Sequence, residues 1–173
     1  MAKEKSAGLA GTLGLLTCYG IAMAYVEAMV VVYLRRLLPL SQWNVEVTDL
    51  HSLTMFLSRH HVLWTEQTRE AATIIMILAV ALLAGGTLRM KAGAFLYTFA
   101  IWDLFYYIFL YALIKWPPTL ATGDVLFLIP RPWVSPVYVP VIISLAMLML
   151  SLFVMGGKQN GGGKAKKASK GKA

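Results

Sequence analysis

Charge is scarce in this 173-residue chain: only 14% of residues are charged, while 58% are hydrophobic. A soluble domain of this length needs a larger charged surface than that. Cysteine is scarcer still. Cys18 stands alone, which excludes an intramolecular disulfide and any CxxC metal or redox motif. The three histidines form no HExxH, and neither Glu66 nor Glu70 has a histidine three residues on, as di-iron bundles require. No internal repeat relates the two halves, which argues against an inverted-repeat transporter. The length permits one domain.

Long apolar runs are what the sequence does have. A helix crossing roughly 30 Å of hydrocarbon takes about 20 mostly apolar residues. Residues 8–34, 65–84, 92–114 and 136–155 each qualify, so the expected fold is an all-α, four-helix membrane bundle over residues 1–157. Gly85-Gly86 and Gly156-Gly157 suit helix ends, and Pro39 and Pro117-Pro118 stop their spans. Lys3, Lys5 and the small-x-small Ala22-Met23-Ala24 imitate a signal peptide, but the apolar run continues past Ala24 to Val32, against cleavage. Cys18 and Met23, Met29, Met76 and Met147 read as packing residues.

The remainder, "GGKQNGGGKAKKASKGKA", carries lysines and no acid. Residues 158–173 read as a disordered basic tail, solvated or near anionic lipid; with no aromatic residue among the lysines, nucleic acid is an unlikely partner. Four spans put both termini on one side with Lys3, Lys5, Arg89, Lys91 and the tail lysines. The other side holds Arg35, Arg36, Arg59, Arg69, Lys115 and Arg131. Positive charge favours the cytoplasm, so both termini are expected there, in a cell inner membrane. Trp43, Trp64, Trp116 and Trp133 gather at the outer face, where indoles favour the headgroup level, and Arg35 and Arg36 read as anchors there.

The outer connections are unusually apolar. Residues 49–63, "DLHSLTMFLSRHHVL", have the spacing of an interfacial amphipathic helix, or of an extension of the second span. Residues 119–133, "TLATGDVLFLIPRPW", read as a short interfacial or re-entrant segment. His60 and His61 on the first, and Asp124 and Arg131 on the second, are candidates for a lid over the bundle's outer end.

Ionisable residues at membrane depth are costly and normally turn inward. Glu66, Arg69, Glu70 and Thr73 are spaced i, i+3, i+4, i+7, one helix face. Asp103, Tyr107 and Tyr111 make a second polar stripe. Glu27 borders the small-residue strip Gly20, Ala24 and Ala28, along which another helix packs closely. The spacing predicts a polar chamber in the outer half, walled by Glu27, Arg69, Glu70, Asp103 and Tyr107, with Asp103 turned toward Arg69, toward a bound species, or protonated.

Three uses of such a chamber follow. It binds a small amphiphile, of the lipid or quinone class, between apolar walls and a few polar groups. It holds interhelical pairs in a non-catalytic accessory subunit of a larger membrane complex. Or its acids serve a carboxylate-metal membrane enzyme. The last is weakened because adjacent His60 and His61 point about 100° apart on a helix. A proton path is weakened by the uncharged inner half, and no cofactor is specified.

The stretches "TREAATIIMILAVALLAG", "FAIWDLFYY" and "DVLFLIPRPWVSPV" resemble a group of small four-span bacterial membrane proteins without an assigned activity. The resemblance covers about Thr65 to Val137 and implies a bacterial inner-membrane setting, but no catalytic role.

Overall fold

The computed structural model describes residues 2–37, 62–84, 86–130 and 132–157. The expected lid residues His60, His61 and Arg131, most of the amphipathic segment 49–63, and the basic tail lie outside the described residues.

Four helices carry the described chain: α1 (Ala2–Leu37), α2 (Val62–Leu83), α3 (Leu88–Ile114) and α4 (Tyr138–Gly156). Stretches of α1, α3 and α4 are each long and apolar enough to cross a membrane. At about 1.5 Å per residue α2 spans about 33 Å, also long enough, but it carries three charges, Glu66, Arg69 and Glu70, in its first turns. Val62 and Leu63 are part of α2, so that helix begins slightly before residue 65.

The ends have local causes. Thr87 caps α3, its hydroxyl accepting from the Met90 N–H at 3.3 Å. At its far end Lys115 adopts the left-handed conformation, φ 56°, and its N–H closes on the Tyr111 carbonyl. Arg89 reaches across to α4, donating from Nε to the Val154 carbonyl at 2.6 Å. That bond satisfies a last-turn carbonyl that α4 cannot pair internally.

The helices do not form an even ring. α3 is the hub, packed along α1 and α4 and more lightly against α2. The α1–α3 seam is close because Gly20, Ala24 and Ala28 present almost no side chain there; a Cβ at Gly20 would stand 2.9 Å from Ile101 Cγ2. Ala24 and Ala28 are fully buried. Leu16, Ala81, Ala94 and Met155 fill one end of the bundle, and Met23, Ile77 and Trp102 the middle. Outward faces stay apolar and bare, with Leu83 87% and Phe153 77% exposed, a surface suited to lipid rather than water. Cys18 and Met76 are exposed on that outward surface, not packed inside as the sequence suggested.

The connection between α3 and α4 departs most from expectation. The described part of residues 119–133, expected as a short interfacial or re-entrant segment, is in good part strand. It builds an antiparallel hairpin with the residues that follow, β1 (Gly123–Phe127) against β2 (Trp133–Pro136), so the fold is largely rather than purely helical. Asp124 pairs with Ser135 and Val125 with Val134, and the register shifts before Phe127 meets Trp133. Thr119 and Thr122 form the entering turn, and the Tyr138 N–H bonds the Leu120 carbonyl at 2.9 Å as α4 starts. Pairing the two strands satisfies the backbone groups that face each other across the hairpin.

Candidate functional site

Where α1 and α3 finish and α2 and α4 begin, the four helices diverge around a cavity of about 260 Å³, with β1 against one side. The five residues expected to wall a chamber, Glu27, Arg69, Glu70, Asp103 and Tyr107, all line it. So do Glu66, Asp124 and Arg35, giving five carboxylates and two guanidiniums on one surface.

Arg69 lies between two acids. Its Nη1 contacts the Glu27 carboxylate across the gap from α1, and its Nε and Nη2 reach Glu66 Oε2 at 2.8 and 2.7 Å. The i, i+3 spacing of Glu66 and Arg69 places both on one face of α2. The three side chains are largely shielded, so the charge-assisted bonds gain from a low local dielectric. Glu27, beside the small-residue strip, supplies the only salt bridge between α1 and α2 among the described residues.

One turn further, Glu70 grips the hairpin. Its carboxylate accepts the Leu128 N–H at 2.9 and 3.2 Å, while Gln67 Nε2 donates to the Leu128 carbonyl at 3.1 Å. Both backbone polar groups of Leu128 are therefore held by α2. Phe127 stacks on Phe99 of α3 at 6.2 Å, closing the hairpin onto the bundle.

Of the readings open for Asp103, the pairing with Arg69 is the one the structure does not have. Arg69 is occupied by Glu27 and Glu66, and Asp103 Oδ2 instead accepts the Ser144 hydroxyl of α4 at 2.7 Å. Nor does its stripe stay inside: Tyr107 is buried, but Tyr111 is 54% exposed. A spacing of four residues turns about 40° per step on a straight helix, so the third member leaves the face.

Asp124 is part of the wall. Tyr107 Oη donates to its Oδ2 at 2.9 Å, and the Val125 N–H donates to its Oδ1 at 2.9 Å. Burial pushes the Asp124 carboxyl up to about 6; the Tyr107 and Val125 bonds and the Arg35 charge pull the other way, and Asp103 adds to the rise.

Arg35, expected as an interfacial anchor, lies over the Trp116 ring at 4.2 Å and lines the cavity, its Nε without a hydrogen-bond partner among the described residues. The spacing Glu27, Val31, Arg35 holds the signal that could have found it. Ser144 belongs to a similar face, with Pro140, Ile143 and Met147 at i−4, i−1 and i+3. Phe99, Trp102, Tyr106 and Trp133 complete an aromatic wall.

Among the described residues no three histidine, cysteine or acidic side chains converge as a metal-holding group. No family model, curated protein or solved structure matches the chain.

Proposed function

We propose that the protein spans a bacterial inner membrane four times, with both termini cytoplasmic, and binds a small amphiphile of the lipid or quinone class in the outer-half cavity. The observation that carries this reading is the convergence of polar groups from all four helices and the hairpin on one cavity with largely apolar and aromatic walls. Ligand sites combine an apolar body with a few fixed polar groups in this way. A volume of about 260 Å³ suits a headgroup or a ring, with an acyl or isoprenoid chain leaving between helices. α2 counts as the fourth span because its charges turn onto the cavity, sparing them contact with hydrocarbon. Anionic lipid at the lysine tail belongs to the same proposal.

A second reading has its own support. Each acid facing the cavity already has an internal donor: Arg69 for Glu27 and Glu66, Leu128 for Glu70, Ser144 for Asp103, Tyr107 for Asp124. A purely structural set of contacts in an accessory subunit would look the same.

Purification from native membrane in mild detergent separates the two. Elemental analysis, an absorption spectrum and mass spectrometry of extracted small molecules are run on one sample. A stoichiometric lipid or quinone supports the ligand reading. A colourless protein with nothing bound, accompanied by other subunits, supports the structural one.

A further inference from the structure

Among the described residues the cavity's charges do not balance. Five carboxylates face two guanidiniums. Arg69 is shared by two acids, and Arg35 sits on the Trp116 ring near Asp124. Asp103 and Glu70 remain. Each lines the cavity, and neither joins a salt bridge among the described residues. Asp103 has a neutral hydroxyl and Glu70 a backbone N–H as donor. Among the described residues no hydrogen bond reaches the other carboxylate oxygen of Asp103, Oδ1. An ionised carboxylate in such a setting calls for a counter-charge.

The cavity that these two acids line also has an aromatic wall. Phe99, Trp102, Tyr106 and Tyr107 come from the same face of α3 as Asp103, and Phe127, which also lines the cavity, stacks on Phe99. Ring faces attract a cation most strongly where water is excluded. Acids outside any salt bridge among the described residues and aromatic rings around one volume favour the same kind of headgroup.

Resting on the ligand reading above, we infer that the amphiphile is cationic: an ammonium headgroup seated between Asp103 and Glu70 against the aromatic wall, its apolar body toward the lipid. An anionic headgroup would add to the excess of acids, and a neutral ring would leave both carboxylates uncompensated.

The test uses three small probes of one shape on the full chain in nanodiscs of zwitterionic lipid, by titration calorimetry with empty nanodiscs subtracted. Benzyltrimethylammonium is the cation, neopentylbenzene its uncharged carbon isostere, and phenylmethanesulfonate the anion. The ammonium is expected to bind saturably and at least about tenfold more tightly than either comparator, as a desolvated cation–π contact and an ion pair together allow. Asp103→Asn, which keeps an acceptor for Ser144, and Glu70→Gln, on a different helix, should each weaken the ammonium severalfold and leave the isostere unchanged. Equal binding of ammonium and isostere, a preference for the sulfonate, or no saturable ammonium binding overturns the inference. If an amphiphile still co-purifies in those cases, the ligand reading survives without its charge. If nothing co-purifies, both fall.

Discussion

Arg69 is the residue on which the cavity end of the bundle depends most. Its two carboxylate partners come from different helices, so its removal leaves Glu27 and Glu66 together, buried and uncompensated. Arg69→Leu is expected to cost about 3–5 kcal/mol, measured as loss of the folded fraction on denaturant titration in detergent. Exchanging the charges of Glu27 and Arg69 together should recover much of that loss. Exchanging Arg69 with Asp103 should not, because those two do not pair. Asp124 gives a residue-scale prediction in pH. Its carboxyl is raised from 3.8 to about 6, so between those values the folded protein holds a proton that the unfolded chain has released. Its contribution is therefore full below the lower value and is lost as pH rises through the upper one, about 3 kcal/mol between the limits. Thermal midpoints at about pH 5 and about pH 8 should differ in that sense, and the Asp124→Asn variant should flatten the difference.

At the scale of elements, the hairpin is the part whose place depends on side chains rather than on length and apolarity. Its tip is tied to α2 through Leu128, so Glu70→Ala should loosen it by about 1–3 kcal/mol, the cost of an unpaired buried group. Limited proteolysis between Leu128 and Trp133 reads this, with faster cleavage expected in the variant. The α1–α3 seam tests the opposite kind of contact. Gly20→Ala should destabilise by about 1–3 kcal/mol, because the added methyl meets Ile101. The same elements show what the sequence could and could not reveal. The four helices were legible because apolar length is a local property, and three of them, α1, α3 and α4, are long and apolar enough to cross a membrane. The α2 face Glu66, Arg69, Glu70 and Thr73 was legible because helical spacing fixes a face. The partner of Asp103 was not: Ser144 lies on a helix without charge, and only the packing of α3 against α4 brings them together. The hairpin was missed because "DVLFLIPRPW" is apolar on both strand faces, so the alternation that marks a half-buried strand is weak there.

At the scale of the whole molecule, the account rests on four spans and one chamber. With α2 crossing the membrane, tags at the two ends are on the same side; with only α1, α3 and α4 crossing, they are on opposite sides. Reporter fusions after residue 157 and within the hairpin should give cytoplasmic and external signals respectively. The chamber itself is tested most directly by native mass spectrometry of the full chain released from native membrane, beside the Met147→Trp variant. That change fills the cavity from α4 without altering a charge. The wild-type protein is expected to carry one recurrent small amphiphile at stoichiometric occupancy, and the variant to lose it while remaining folded. An identical set of bound molecules in both, or none in either, would contradict a ligand site in the chamber and leave its acids as structural contacts.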